Sequence, residues 1–343
     1  MADGSITMPS TDTSILLRLR DGIYASDLVI VAVAWLDFFS WLSDKPSNQV
    51  EICNAFNIER RSADVMLTLF VAKDLLLCID GDYHLTDLAR EHLVKGAAWS
   101  LCPYLETMKE RPTCKDLLEV LRTGKPASWG SKEGEKEWSL AIKDEDIASS
   151  FTSAMDSRGS YLAPRMAEVI DCTGYHSLLD IAGGSGIYAC AITAQYNNLR
   201  ASVLERPPVD DVAKLCIAKR GLSNRVSVIA GDMFGSLPDG HDIHLFSNTL
   251  HDWGQERVEA LINSSYKALP PKGMIVIHDA HINENKSGPL SVAEYSVLLM
   301  YSTDGKCYSV SEINRMLTDA GFVDLSFTTT AAYWSVITGR KPA

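Results

Sequence analysis

The sequence predicts a two-part α/β protein, in which a mostly helical region precedes a doubly wound, mainly parallel sheet. Three observations carry this. From Ser177 onward, five short apolar runs, "SLLDIA", "RASVLE", "RVSVIA", "DIHLFS" and "MIVIHD", alternate with helical patterns. The first of them is followed by a glycine-rich turn, "AGGSG". The first third is instead dominated by helical periodicity. At 343 residues the chain is long enough for two domains and a large buried core.

Taken in order, "DGIYASDLVIVAVAWLDFFSWL" is apolar almost all round and is expected to form a helix buried between partners or domains. "SNQVEICNAFNIERRSADVMLTLFVAKDLL" reads as two amphipathic helices joined by a polar turn, and "LLCIDGDYHLT" as a hairpin turning at Asp80-Gly81. Helix, turn, helix and hairpin make a winged-helix pattern. Arg60 and Arg61 open its second helix, but Glu51, Glu59, Asp64, Asp74, Asp80, Asp82 and Asp87 outnumber the basic residues nearby. DNA recognition requires a basic footprint, so packing or dimerisation is expected instead. The polar stretch "GKPASWGSKEGEKE", Gly124 to Glu137, reads as a surface loop.

Bulk properties exclude further classes. A net charge of −12 disfavours nucleic acid and anionic membranes, and suits a small neutral or aromatic ligand. The eight cysteines are scattered, with no Cys/His cluster at zinc spacing, so no metal is expected and a reducing compartment is. The apolar stretch Leu28 to Leu42 is short for a bilayer span and is broken by Asp37, and the first residues lack a signal-peptide pattern. These features together predict a cytoplasmic protein without a membrane partner.

In the second part, the apolar runs lack strict alternation, as expected of parallel strands covered on both faces. The turn after the first run reads in two ways. From Gly184 it contains G-S-G-x-x-A, a dinucleotide fingerprint; from Asp180 it becomes D-x-A-G-G-S-G, as at a methyl-donor site. Glu205, ending the second run, fits ribose hydroxyls in either case. The third run ends in "AGDMF", where Asp232 can accept from an adenine amino group and Met233 can pack on the ring, or where the pair simply caps a turn and fills the core.

The ordered set "LLDIAGGSG", "LERPPV", "AGDMF", "SNTLHDW", "ALPPKGMIVIHDA" and "LTDAGF" resembles the small-molecule O-methyltransferase family with an N-terminal dimerisation domain, over nearly the whole chain. The resemblance implies a winged-helix dimerisation domain over residues 1–110, a helical linker and substrate-pocket segment over 111–165, and a Rossmann-like class I methyltransferase domain over 166–343. It further implies a homodimer and S-adenosylmethionine as cofactor. Ala182 and Gly183 would contact its methionine part, Glu205 the ribose, Asp232 and Met233 the adenine, and Ser247 would lie near it. Two positions depart from the family pattern: Ala182 stands for the first glycine of the loop, and Ser247 for the lysine of plant members.

Methyl transfer from a sulfonium to oxygen is one displacement, so the protein must align the reactants and remove a hydroxyl proton. His251, after the fourth strand, titrates near neutrality and lies where α/β sites form; the resemblance makes it the general base and Asp279, ending the next strand, its orienting partner. Read without the resemblance, His251 is a core or capping residue, Asp252 an N-cap and Asp279 a strand-end turn residue. His278 and His281 are expected as surface histidines. Cys307 occupies the place of a second family acid, and Glu312 is expected to belong to a capping box, Ser309 to Glu312, opening the last helix. "SSFTSAMDSRGSY" and "SVLLMYSTDG" are expected to line the substrate pocket, with Met155 and Met300 on its wall and Cys307 as a further apolar surface.

The expected activity is therefore O-methylation of a small, aromatic metabolite. The rivals are methylation of carbon or nitrogen, a family member without methyl transfer, and a winged-helix regulator sensing a metabolite.

Overall fold

The computed structural model describes residues 9–127 and 145–343; the part of the expected surface loop from 128 to 137 lies outside the described residues. Contacts divide the chain into two compact units: a sheet unit of Met1–Ser14, Lys136–His281 and Val310–Ala343, and a helical unit of Ile15–Glu135 and Ile282–Ser309. The division does not follow the chain linearly. Helix Leu290–Ser302, whose residues from Val292 to Met300 are all buried, packs on helix Arg60–Ala72 inside the helical unit.

In the helical unit, the apolar stretch from Asp21 to Leu42 expected to form one buried helix holds two helices, Ala25–Ala34 and Phe38–Asp44, bent by 60°. Asp37 breaks it, taking a left-handed conformation at φ +50° that an α-helix cannot continue. Behind the break, Phe38, Phe39 and Phe70 pack with ring centroids 5.3–5.7 Å apart and are fully buried. No single helix among the described residues is long and apolar enough to cross a membrane. Helices Gln49–Phe56 and Arg60–Ala72 follow, the first opened by a capping box from Asn48 and Glu51. Next comes the hairpin β2 (Leu76–Ile79) and β3 (Asp82–Leu85), with β1 (Ser47–Asn48) on its other side. Its turn is at Asp80 and Gly81, both at positive φ, as the twist of a two-residue hairpin requires.

Arg61 does not point outward as a nucleic-acid contact. Its guanidinium donates to the carbonyls of Gly124 at 2.6 Å, Gly305 at 2.6 Å and Thr303 at 3.4 Å, the ends of two neighbouring helices. A cation suits helix C-termini, where carbonyls lack intrahelical donors.

The sheet unit is a seven-stranded sheet in the order β6–β5–β4–β7–β8–β10–β9. Strands β4 (Ser177–Ile181), β5 (Arg200–Glu205), β6 (Val226–Ala230), β7 (Ile243–Ser247) and β8 (Met274–Asp279) are parallel and coincide with the five apolar runs. Strands β9 (Val323–Thr329) and β10 (Ser335–Arg340) close the edge, β10 running antiparallel to both of its neighbours. The strand order reverses between β4 and β7, so a crevice opens beyond their carboxyl ends. Because β10 is antiparallel and pairs Ser335 with Asp279, residues just before it lie at that same edge.

Candidate active site

Beyond β4 the backbone turns through Ala182 at φ +56°, Gly184 at +57° and Gly186 at +73°, then enters helix Ile187–Gln195. Asp180, in β4, is fully buried beneath this turn. Its Oδ2 accepts from the Ala189 amide at 3.3 Å, while Oδ1 has no hydrogen-bond partner. Burial pushes its carboxyl up to about 7. A Cβ on Gly183 would sit 2.4 Å from the Asp180 carboxyl carbon, so no larger residue fits over it.

Glu205, ending β5, clamps the turn: Oε1 accepts from the Gly184 amide at 2.9 Å and Oε2 from the Arg206 amide at 3.0 Å. Burial raises its pKa, with the two backbone donors opposing. Each oxygen still has a lone pair able to accept from a ligand hydroxyl. Asp232 follows β6; its Oδ1 accepts from the Phe234 amide at 3.0 Å, an Asx-turn, and Arg206 stands 3.7 Å from Oδ2. Met233 is half-buried rather than a core residue. Ser247, ending β7, turns its hydroxyl to His278 Nδ1 at 2.9 Å.

On the other side of the crevice, the chain leaves β7 through a 3₁₀ turn, Leu250–Asp252, that carries His251. Its Nδ1 is hydrogen-bonded to Asp279 Oδ1, at the end of β8, and both residues are buried. Asp279 Oδ1 also accepts from the Ala280 amide at 2.8 Å. Nε2 faces Asp252 Oδ1 at 3.6 Å. Burial opposes a charged imidazole, but the Asp279 and Asp252 carboxylates outweigh it and hold the His251 pKa above its ordinary 6.5. For Asp279, burial is likewise outweighed by the imidazolium, and its pKa lies below 3.8. Asp252 is not the N-cap of the following helix, Gln255–Ala268; Gly254 holds that position. Trp253 packs edge-on against Phe234, with centroids 4.8 Å apart.

His278 and His281, expected at the surface, are buried. The strand that carries His278 is covered on both faces, so even its polar positions are enclosed. His281 Nδ1 pairs with Ser335 Oγ at 2.8 Å. Burial pushes His278 down to about 3 and His281 to about 4, leaving both neutral at neutral pH. No group of three or more His, Cys, Asp and Glu able to hold a metal ion occurs among the described residues.

Four residues of this edge were not singled out by sequence reasoning. Asn248 donates to Tyr188 Oη at 2.9 Å and to Ser247 Oγ at 3.3 Å, and Trp334 Nε1 donates to Asn248 Oδ1 at 2.7 Å. Arg158 lies over the Trp334 ring, 5.5 Å from its centroid. The one available signal was the polar Asn248 directly after a buried strand. Met155 is half-buried on helix Glu145–Val169 of the sheet unit, whereas Met300 and Cys307 are buried in the helical unit, where the Cys307 amide donates to Ser296 Oγ at 3.1 Å. Glu312 lies in the first turn of helix Val310–Ala320.

The orphaned Asp180 oxygen under a glycine that admits no Cβ suits a ligand bearing positive charge, and the acceptor pairs of Glu205 suit ribose hydroxyls. Placed at the switch point of this sheet, they define a class of protein, the S-adenosylmethionine-dependent methyltransferases. The O-methyltransferase domain family matches residues 114–323, more than half of the chain, and the chain belongs to that family. Its methyl donor is S-adenosylmethionine.

The chain is 29% identical to 3-hydroxy-5-methyl-1-naphthoate 3-O-methyltransferase of Streptomyces sahachiroi, over 93% of this chain and 92% of that one. It is also 29% identical to the tetracenomycin polyketide synthesis 8-O-methyl transferase of Streptomyces glaucescens, over 95% and 96%. Among solved structures it is similar to an O-methyltransferase family 2 protein from Planctomyces limnophilus in complex with apigenin, with a TM-score of 0.89, 30% identity and 98% of each chain covered. The chain is thus an S-adenosylmethionine-dependent O-methyltransferase of the natural-product type.

Proposed function

We propose that the methyl group goes to a hydroxyl of a small aromatic metabolite, with His251 as general base and Asp279 as its orienting partner. The observation that carries this is the buried His251–Asp279 pair at the ends of adjacent strands. Asp279 engages Nδ1, which presents Nε2 as the nitrogen that takes the hydroxyl proton. The resulting imidazolium is stabilised by Asp279, whose carboxyl stays ionised. When bound, S-adenosylmethionine supplies a methyl group on a sulfonium. Ala182, Gly183, Glu205, Asp232 and Met233 would hold it, while Ser247 fixes His278 behind the site.

Met155, on helix Glu145–Val169 of the sheet unit, is proposed to line the acceptor's pocket. An aromatic acceptor is favoured by the relatives named for a naphthoate and for tetracenomycin, and by the neighbour solved with apigenin. Dimerisation through the helical unit is favoured by a helix with Ile15, Leu16 and Leu19 71%, 63% and 72% exposed, with Trp99 and Tyr104 also open on that unit. A reducing, cytoplasmic setting is favoured by free thiols at all eight cysteines.

The test is transfer of an isotopically labelled methyl group to a panel of hydroxylated aromatics, with the product mapped by NMR. Label on oxygen is expected; label on carbon or nitrogen, or none on any product, contradicts the reading.

A further inference from the structure

We propose that Asn248 is a positioning residue for methyl transfer, fixing the backbone that carries His251 relative to the helix beyond the donor turn. The inference rests on the O-methyl-transfer reading, with His251 as base, and deepens it.

Asn248 stands where the chain leaves the sheet. Its amide donates to the His278 carbonyl at 2.9 Å, extending the β7–β8 ladder by one residue, and its backbone then turns left-handed at φ +53°. His251 follows three residues later, in the 3₁₀ turn Leu250–Asp252, so the torsion at Asn248 sets the direction in which that turn departs. Asn tolerates this conformation better than most side chains do. Its carboxamide is fully engaged. Oδ1 accepts from Trp334 Nε1 at 2.7 Å, and Nδ2 donates to Tyr188 Oη at 2.9 Å and to Ser247 Oγ at 3.3 Å. An indole N–H can only donate, which fixes the orientation of the carboxamide.

These partners are themselves anchored. Tyr188 is the second residue of helix Ile187–Gln195, directly after the donor turn, and Trp334 immediately precedes β10; both are buried. Ser247 passes the connection on to His278 Nδ1 at 2.9 Å, and the His278 ring packs on Tyr188 with centroids 5.3 Å apart, which closes a loop of contacts through the helix, β7 and β8. The other holds on the His251 turn act differently. Asp279 engages the imidazole itself, and the Thr249 hydroxyl donates back to the Ser247 carbonyl at 3.2 Å, on its own strand. Asn248 instead ties the outgoing backbone to the helix that begins at the donor turn. A displacement needs its reactants aligned, and a misplacement of about 1 Å costs about 10²-fold in rate.

Two substitutions test this in the full chain. Asn248→Gly keeps the left-handed conformation open while removing the three side-chain hydrogen bonds, and Tyr188→Phe removes one of them with the ring retained. Each is assayed by calorimetry with S-adenosylhomocysteine and by single-turnover transfer to the hydroxylated aromatic that wild type methylates fastest in the panel above. Asn248→Gly should slow transfer by about 10²-fold and Tyr188→Phe by about tenfold, with S-adenosylhomocysteine affinity within about threefold of wild type, which also reports intact folding. Residues that act through one group are non-additive, so in a His251→Gln background either substitution should cost less than about threefold. A rate within about threefold of wild type in either single variant overturns the proposal, as does the same loss recurring without His251, or a Tyr188→Phe affinity that falls as far as its rate. Wild-type label on oxygen beside any of these results leaves the O-methyl-transfer reading standing while this inference falls; a wild type that puts no label on oxygen removes both.

Discussion

Replacing Asp279 by Asn separates the charge of the His251–Asp279 pair from its shape. The Asn oxygen can still accept from Nδ1 and from the Ala280 amide, so the ring stays near its place. What goes is the carboxylate that outweighs burial at His251. With it, the His251 pKa lies above 6.5; without it, burial dominates and the value falls. General-base assistance is worth about 10²–10⁴ in rate, and the same exchange in the serine-protease triad costs about 10⁴, so kcat should fall by about 10²–10⁴. The pH profile carries the sharper signature. In wild type the acidic limb of kcat/KM should have its midpoint above 6.5, and in the variant it should move lower on a much reduced plateau.

Stability follows the same linkage. A raised histidine contributes stability present in full below 6.5 and lost as pH climbs through its folded value; a depressed aspartate contributes above 3.8 and loses its share as pH falls through its folded value. The pair therefore stabilises the fold most between these limits, and wild type and variant should differ most there. The assays are steady-state rates and urea unfolding across pH. A variant with kcat within threefold of wild type and an unmoved acidic limb would refute the reasoning.

Three further outcomes follow from the geometry. Gly183→Ala drives a methyl group onto the Asp180 carboxyl and should cost about 1–3 kcal/mol of stability and at least tenfold in donor affinity, read by calorimetry. Ala182→Gly removes an alanine from φ +56° and should raise stability by up to about 1 kcal/mol in denaturant unfolding, leaving donor binding intact. Arg61→Met strips three carbonyls of their donor and should destabilise the helical unit by about 1–3 kcal/mol, with no change in retention on heparin or DNA columns.

Much of this architecture was legible because it is local. The five parallel strands are continuous apolar runs, the hairpin is marked by Asp80-Gly81, and the donor turn by glycines whose positive φ only small residues tolerate well. The pairing of His251 with Asp279 was implied by the family resemblance, and the parallel sheet permits it because each follows or ends a neighbouring strand. Long-range features were not legible. Nothing local to Leu290–Ser302 reveals that it returns to the helical unit, and the antiparallel placement of β10 between β8 and β9 depends on pairings far apart in sequence. Asp37 was legible as an interruption of the apolar stretch, but the sharp bend made by its left-handed conformation was not. His278 and His281 were misjudged because polarity suggested exposure, whereas each sits in the interior with its Nδ1 against a serine hydroxyl. Arg158 became visible only once tertiary packing brought a helix far from Trp334 in sequence across its ring.

The central claim is that His251 takes the acceptor proton beside an independently formed donor site, and single-turnover transfer by His251→Gln tests it most directly. With S-adenosylmethionine bound at wild-type affinity, transfer to a hydroxylated aromatic should slow by about 10²–10⁴ and lose its acidic limb. Wild-type transfer rates in that variant, with the acidic limb retained, would contradict the account.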